Sequence, residues 1–343
     1  MSDGPQENRS IVRREQSDQY LLLSLVAFAV TVIFTRAYLH LTGFPQIGNS
    51  VLHIAHALWG GLLQFVAVLL PLILANRWAI TASAVLGGVG IGLFIDEVGK
   101  FITQANDYFF APALSIIYAF FLLTVFAYFY FRRPQKLDPR SALYRVFDRL
   151  QDVLDGNLDA EEAARIEAQL AIAEQSSREE VVSLATVLGA YVTAQREHLP
   201  QAEPGFSKRL ATRIDGWGRR IGRRAHRIAI SILLIGWVAL VAGYIAILVR
   251  GGASLDQQVL QWRGVLVVIQ AVIGCLMLVA AFAWFSRNED LGVKLSVSGL
   301  LLSLVALQMH YFYISQFYAV TATLIQFGLL QIPLAYRRWY LTG

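Results

Sequence analysis

The sequence predicts an all-α, polytopic membrane protein with about eight transmembrane helices in a 4+4 arrangement and a helical insert between the halves. Three observations predict it. Only 15% of the 343 residues are charged and 56% are hydrophobic, whereas about 25% of residues are charged in soluble domains. The apolar residues gather in runs of about 20, the length that crosses about 30 Å of hydrocarbon. Basic residues flank these runs on one side of the membrane only.

The predicted spans fall into two groups of four. They cover about 20–40, 51–75, 78–102, 112–131, 227–249, 263–285, 291–314 and 317–336. The corresponding domains are a disordered N-terminus (1–19), a first transmembrane half (20–131), an insert (132–225) and a second half (226–343). Under the positive-inside rule, the paired arginines beside the spans place both termini and the insert in the cytoplasm.

The insert has the composition of a small helical domain. Apolar residues recur at helical spacing from Leu143 to Leu154. Asp159 followed by Glu162 is typical of a helix start, and a further helix is predicted over 178–197. Residues 206–225 form a basic amphipathic pattern, which we expect to lie on the membrane surface and to meet anionic lipid head groups. Because base-stacking aromatic residues do not alternate with these charges, nucleic-acid binding is not expected.

Some classes of site are excluded by composition. The single cysteine, Cys275, excludes an internal disulfide framework and a cysteine-based zinc site. The glycine-rich stretch 87–92 does not follow a strand, so it does not predict a dinucleotide site. Its glycines, with Ala84, instead predict a stripe for close helix approach. We expect the second span, at Gly60 and Gly61, to be the opposing surface.

Ionisable and polar groups from several spans converge at the outer ends of the helices. A helix rises about 1.5 Å per residue, so Asp96 lies roughly 27 Å from Trp78 at the inner edge. Such groups are costly inside a span and therefore mark a candidate functional site. The predicted polar site comprises Arg36, His53, His56, Asp96, Glu97, Lys100, Asp107 and His310.

Helical spacing suggests how these groups pair. His53 and His56 are three residues apart and can face one way. Asp96 and Lys100 are four apart and can pair on one face, whereas Glu97 points about 100° away from Asp96. Either carboxylate could then meet the histidines.

The polar site is compatible with three functions. The first is transport of an ion, a proton or a small solute, because histidine titrates near neutral pH. The second is a divalent metal such as zinc, held by His53, His56 and Glu97, in a membrane-embedded hydrolase of lipid-like substrates. The third is a non-catalytic scaffold or sensor. Enzymatic activity and assembly into a homo-oligomer are left open.

The second and third spans carry a recognisable motif. The pattern His53-x-x-His56-x-x-Trp59-Gly60, with Asp96-Glu97 and a following Asp107-Tyr108, resembles that of a family of bacterial polytopic integral membrane proteins without an established activity. The resemblance implies a multi-pass protein of the bacterial inner membrane. The site is also similar to that of membrane-embedded metal hydrolases of the ceramidase type. Their late His-x-x-x-His pair is absent, since the seventh span offers only His310.

Overall fold

The structure is a computed structural model. It describes residues 11–43, 55–108, 110–133, 137–156, 158–196, 212–213, 216, 218, 220–250, 257–314 and 316–341. Half of the predicted amphipathic segment 206–225 lies outside these residues, as does His53.

The described part of the chain consists of helices joined by turns, without a β-strand. The helices are α1 (Ser17–Thr42), α2 (His56–Ile73), α3 (Arg77–Asp96), α4 (Val98–Ile102), α5 (Ala111–Arg132), α6 (Pro139–Leu154), α7 (Ala160–Ala173), α8 (Glu179–Arg196), α9 (Arg223–Arg250), α10 (Gln257–Phe285), α11 (Glu289–Ala306), α12 (Gln308–Ile314) and α13 (Gln316–Tyr340). Among the described residues, eight helical segments are long and apolar enough to cross a membrane. The predicted all-α polytopic membrane fold is therefore confirmed, and a lipid bilayer is the environment that it needs.

The chain divides into two compact units. The first unit contains Met1–Glu97 and Leu123–Gly205. The second unit contains Val98–Leu122 and Phe206–Gly343. Helix α4 and the first part of α5 belong to the second unit. The predicted division into two halves of four spans remains a prediction.

In the first unit, α3 packs between α1 and α2 through glycines on opposite faces. A Cβ atom on Gly88 would collide with the carbonyl of Ser24, and one on Gly92 would lie 2.9 Å from Cβ of Thr31, both in α1. The stripe predicted to face α2 therefore faces α1. Positions 88 and 90 lie about 200° apart around a helix, so Gly90 is the residue that meets α2.

The contact between α2 and α3 joins two backbones directly. A Cβ atom on Gly60 would lie 2.6 Å from the carbonyl oxygen of Gly90, and one on Gly90 would lie 2.7 Å from that of Gly60. Gly61, which was predicted to share this surface, has no atom within 4 Å of its Cβ position. Gly60 and Gly90 are thus the pair that sets the distance between these two helices.

The insert forms a helical domain around its own apolar core. Ala142, Val146, Ala163, Ile166, Leu170 and Ala185 are among its fully buried residues. Asp159 accepts a hydrogen bond from the backbone N–H of Glu162 at 2.8 Å, as its sequence predicts, and Asp138 does the same for Ser141 at the start of α6. These caps fix the starts of α7 and α6.

Polar contacts attach the insert to the ends of α1 and α3. The guanidinium of Arg149, only 2% exposed, donates two hydrogen bonds to Glu15 at 2.6 and 2.7 Å. Arg77, at the start of α3, pairs with Asp152 of α6. Residues 11–16, which were predicted to be disordered as part of 1–19, therefore include a carboxylate that pairs with the insert.

The second unit is built around large buried side chains from α10, α11 and α13. The ring of Trp284 packs edge-on against Tyr336 at 4.8 Å between centroids. Its indole N–H donates to Ser296 at 2.9 Å. Gly292 lies directly under the Trp284 ring, because a Cβ atom there would approach it to 2.9 Å. Glycine at this position therefore allows the indole to be buried.

Candidate functional site

Four ionisable side chains of the first unit meet at one end of the α1–α3 bundle. His56 is the first residue of α2 and Asp96 is the last residue of α3. Glu97 follows directly, with φ −89° and ψ 9°, and interrupts the helix before α4. Arg36 comes from the last two turns of α1. Three different helices thus contribute to one cluster, which we name the His56 cluster (Arg36, His56, Asp96 and Glu97).

Asp96 is the most enclosed member of the His56 cluster, with no exposed surface. Arg36 donates from Nε to its Oδ1 at 2.5 Å and from Nη2 to its backbone oxygen at 3.2 Å. The Nε2 atom of His56 lies 3.1 Å from its second carboxylate oxygen. Both oxygens of this carboxylate are therefore engaged by cationic or polar groups from other helices.

Glu97 is also buried, with 1% of its surface exposed. Its Oε1 atom lies 3.1 Å from Nδ1 of His56. The imidazole of His56 therefore lies between two carboxylates, with one ring nitrogen directed at each. The His56 side chain keeps 22% of its surface exposed, more than either of the two carboxylates.

Local packing explains why the acids and the histidine meet. Gly60 lies one turn below His56 in α2, and its contact with Gly90 holds the two helix axes unusually close. On the other side of α3, the contact of Gly92 with Thr31 brings α1 equally near, about one turn below Arg36. Small residues on two faces of α3 thus place Asp96 within reach of both neighbours.

The other predicted site residues are placed as follows. Lys100 lies in α4, with its ammonium 5.3 Å from the ring centroid of Tyr108. The backbone N–H of Asp107 donates to the hydroxyl of Thr103 at 2.7 Å. His310 is half-buried in α12. All three belong to the second unit, whereas the His56 cluster belongs to the first.

The predicted pairing of Asp96 with Lys100 assumed one continuous helix. The structure ends α3 at Asp96 and begins α4 at Val98, with Glu97 between the two helices. The pairing of Asp96 with Lys100 remains a prediction. Asp96 is held by Arg36, which lies sixty residues earlier in another helix. Arg36 was predicted to belong to the polar site, but its position in the sequence did not indicate that it pairs with Asp96.

The metal prediction concerns His53, His56 and Glu97. Within the part of the chain that the structure describes, no group of three or more His, Cys, Asp or Glu side chains is placed to hold a metal ion. His53 lies outside that part, so the predicted zinc site and the hydrolase remain predictions.

Comparison of the chain with protein-family models, with curated proteins and with solved structures finds no match. The resemblance of its motif to bacterial membrane proteins and to ceramidase-type hydrolases therefore remains a prediction. The chain is a multi-pass membrane protein whose most distinctive feature is a histidine held between two buried carboxylates.

Proposed function

We propose that the protein moves protons across the membrane, with His56 and Glu97 as the groups that carry the proton. Transport of an ion, a proton or a small solute was the function predicted first, and the proton is the species that the His56 cluster supports best. The observation that carries this proposal is the pair of 3.1 Å contacts from the two ring nitrogens of His56 to Asp96 and Glu97.

These contacts require an additional proton. A neutral imidazole has one N–H donor and one accepting nitrogen, and an ionised carboxylate only accepts. Both ring nitrogens of His56 face carboxylate oxygens. A neutral ring between two ionised acids would therefore leave one nitrogen–oxygen contact without a hydrogen. His56, Asp96 and Glu97 can make both contacts as hydrogen bonds only when the three side chains together bind one proton more than in that state.

Arg36 determines where this proton resides. A guanidinium keeps its charge at any accessible pH, and that of Arg36 donates to Asp96 at 2.5 Å. Asp96 therefore remains ionised, and the additional proton is shared between Nδ1 of His56 and Oε1 of Glu97. With this proton bound, the His56 cluster has no net formal charge.

Release of the proton changes the charge of a buried site. The His56 cluster would then carry a net charge of −1, with both carboxylates almost fully enclosed. Such a charge is costly within a membrane span unless water or a cation reaches it. Proton release is thereby tied to a change in access or to the arrival of a cation, which is the behaviour required of a proton-coupled transporter.

The proposal is tested by charge displacement in proteoliposomes on a solid-supported membrane. A sudden change of external pH should produce a transient current in the wild type, because proton binding within the span moves charge. His56→Gln and Glu97→Gln should each reduce it at least tenfold. The matched control is His226→Gln, since His226 is a buried histidine that packs against the rings of Trp339 and Tyr340.

Infrared difference spectra of the same proteins between acidic and alkaline buffer identify the group that binds the proton. We expect a carboxyl C=O band in the wild type that is absent from Glu97→Gln and present in His226→Gln. A wild-type protein without a pH-driven current would show that the His56 cluster is only structural. So would a current in both cluster variants that is as large as that of the wild type.

A further inference from the structure

A second polar site lies in the first unit, between the segment before α1 and the insert. An open cavity of about 450 Å³ is lined by residues 11–15 and by Arg140, Tyr144, Arg145 and Asp148 of α6. Its lining contains four arginines, at 13, 14, 140 and 145, against the two carboxylates Glu15 and Asp148. The formal charge of the lining is therefore +2 (four minus two).

Both carboxylates of the lining are already engaged by arginines. Glu15 accepts two hydrogen bonds from Arg149, at 2.6 and 2.7 Å, and a third from Gln169 at 3.2 Å. Asp148 pairs with Arg14 at 3.3 Å. Because the guanidinium of Arg149 lies behind Glu15, the negative charge of Glu15 is compensated from outside the cavity lining. The field within the cavity is consequently that of an anion-binding site.

Arg145 is an arginine of the cavity lining that also carries a buried donor. Its Nε atom is buried and has no hydrogen-bond partner among the described residues. Guanidinium groups match phosphate oxygens in particular, because they donate two parallel hydrogen bonds.

The cavity adjoins the membrane ends of two spans. The guanidinium of Arg13 lies over the rings of Tyr130 and Phe131, at 5.1 and 5.2 Å from their centroids. These rings end α5, and α1 begins at Ser17, immediately after the lining segment. Ile11, at the mouth, is 90% exposed. Positive charge therefore lies beside aromatic and apolar surface at the level where phospholipid head groups meet the hydrocarbon.

We propose that the cavity binds a phosphate group at this face of the membrane, either in the head group of an anionic phospholipid or in a small soluble phosphate compound. This site is separate from the anionic-lipid contact predicted for residues 206–225 and does not depend on the His56 cluster. Arg140 and Arg145 on α6, with Arg13 from the opposite wall, supply the donors. Tyr144 lies beside Arg140, whose guanidinium is 5.3 Å from the tyrosine ring.

The test uses the full-length protein and two probes. Native mass spectrometry in zwitterionic detergent measures binding of phosphatidylglycerol against phosphatidylcholine, and calorimetry measures binding of inorganic pyrophosphate. Arg140→Gln combined with Arg145→Gln should weaken the bound probe at least tenfold. The matched control is Arg165→Gln, because Arg165 is an exposed arginine of the same insert that pairs with Glu161. Should the double variant fail to fold, Arg140→Gln alone should still weaken binding severalfold.

The outcomes distinguish the two sources of phosphate. Binding of phosphatidylglycerol alone, lost in the α6 variants, identifies a lipid head group. Binding of pyrophosphate with the same loss identifies a soluble phosphate ligand. If neither probe binds more tightly than phosphatidylcholine, or if Arg165→Gln weakens binding as much as the α6 variants, the cavity is not a phosphate site.

Discussion

His56 and Glu97 lie with Nδ1 of the ring 3.1 Å from Oε1 of the carboxylate, at the first residue of α2 and directly after the last residue of α3. The contact joins the two helices at the point where α3 is interrupted. The contact also depends on Asp96, whose carboxylate holds the Nε2 atom of His56. Arg36 in turn holds the carboxylate of Asp96. The His56 cluster should therefore behave as a coupled unit in stability as well as in proton binding.

We expect strong coupling between Arg36 and Asp96. Removing one member of a buried ion pair typically costs about 3–5 kcal/mol, because the other charge remains buried. Arg36→Gln and Asp96→Asn should each lower stability by about 3 kcal/mol, and the double variant should cost clearly less than their sum. Thermal unfolding in detergent measures the stability of the wild type, the two single variants and the double variant, which together form a double-mutant cycle.

The exposed pair of Arg165 and Glu161 gives the control for this cycle, because surface pairs contribute only about 0–1 kcal/mol. If the effects of Arg36→Gln and Asp96→Asn were additive, their coupling energy would be as small as that of the surface pair. The contact between Arg36 and Asp96 would then not stabilise the bundle.

The glycine contact between α2 and α3 is tested by two neighbouring substitutions. Gly60→Ala places a methyl group 2.6 Å from the carbonyl oxygen of Gly90 and 2.8 Å from the backbone nitrogen of Phe94. The helices must then separate, which we expect to cost about 1–3 kcal/mol and to reduce the pH-driven current. Gly61→Ala is the matched control, since nothing lies within 4 Å of its new methyl group. Equal stability and current in the two variants would contradict the packing described here.

Several features could be predicted from the sequence because they are local. The eight apolar runs, the helices of the insert and the cap at Asp159 depend on neighbouring residues. The meeting of His56 with the two acids followed from their common depth in the membrane. The contact of Asp96 with Arg36 could not be predicted in this way. Pairing between α1 and α3 depends on how the helices are rotated and on the break at Glu97, and periodicity reveals neither.

The glycine-rich stretch shows the same limit. Its small residues correctly predicted close helix packing, but not that Gly88 and Gly92 meet α1 while Gly90 meets Gly60. A helix with small residues on two faces can be approached from either side. The neighbour on each side is decided by the packing of the whole bundle.

The contacts of the insert predict two opposite dependences on pH. Burial raises the pKa of Glu15, but the hydrogen bonds and charge of Arg149 outweigh it, so the pKa lies below its ordinary value of 4.5. For Glu162, burial and the charges of Asp152 and Asp159 raise the pKa above 4.5. Ionised Glu15 therefore stabilises the fold above pH 4.5 and loses this effect as the pH falls through its lowered pKa, whereas ionised Glu162 destabilises the fold above its raised pKa.

Two variants measure these dependences. Glu15→Gln should lower the stability at neutral pH by about 3 kcal/mol, with the difference from wild type shrinking as the pH falls below 4.5. Glu162→Gln should raise stability at neutral pH and match the wild type in acid. Thermal unfolding of the full-length proteins across this pH range measures both. Parallel curves for the two variants would refute the assigned signs.

The second unit offers a test of buried polar contacts within the membrane. Gln308, fully buried in α12, donates from its amide to Gln326 of α13 at 2.9 Å, and Gln326 donates to the carbonyl of Leu300 at 2.8 Å. Gln326→Leu removes the acceptor of Gln308 and should cost about 1–2 kcal/mol. Gln308→Leu combined with Gln326→Leu should recover part of this loss, because no buried amide then remains without its partner.

Gln331→Leu is the matched control for this cycle, since Gln331 lies in the same helix and is exposed. Leucine suits a lipid-facing position, so this variant should keep or raise the thermal unfolding temperature. The decisive comparison is between Gln326→Leu and the double variant. A double variant less stable than Gln326→Leu would show that each amide stabilises the second unit through separate contacts, and that the hydrogen bond between them contributes little.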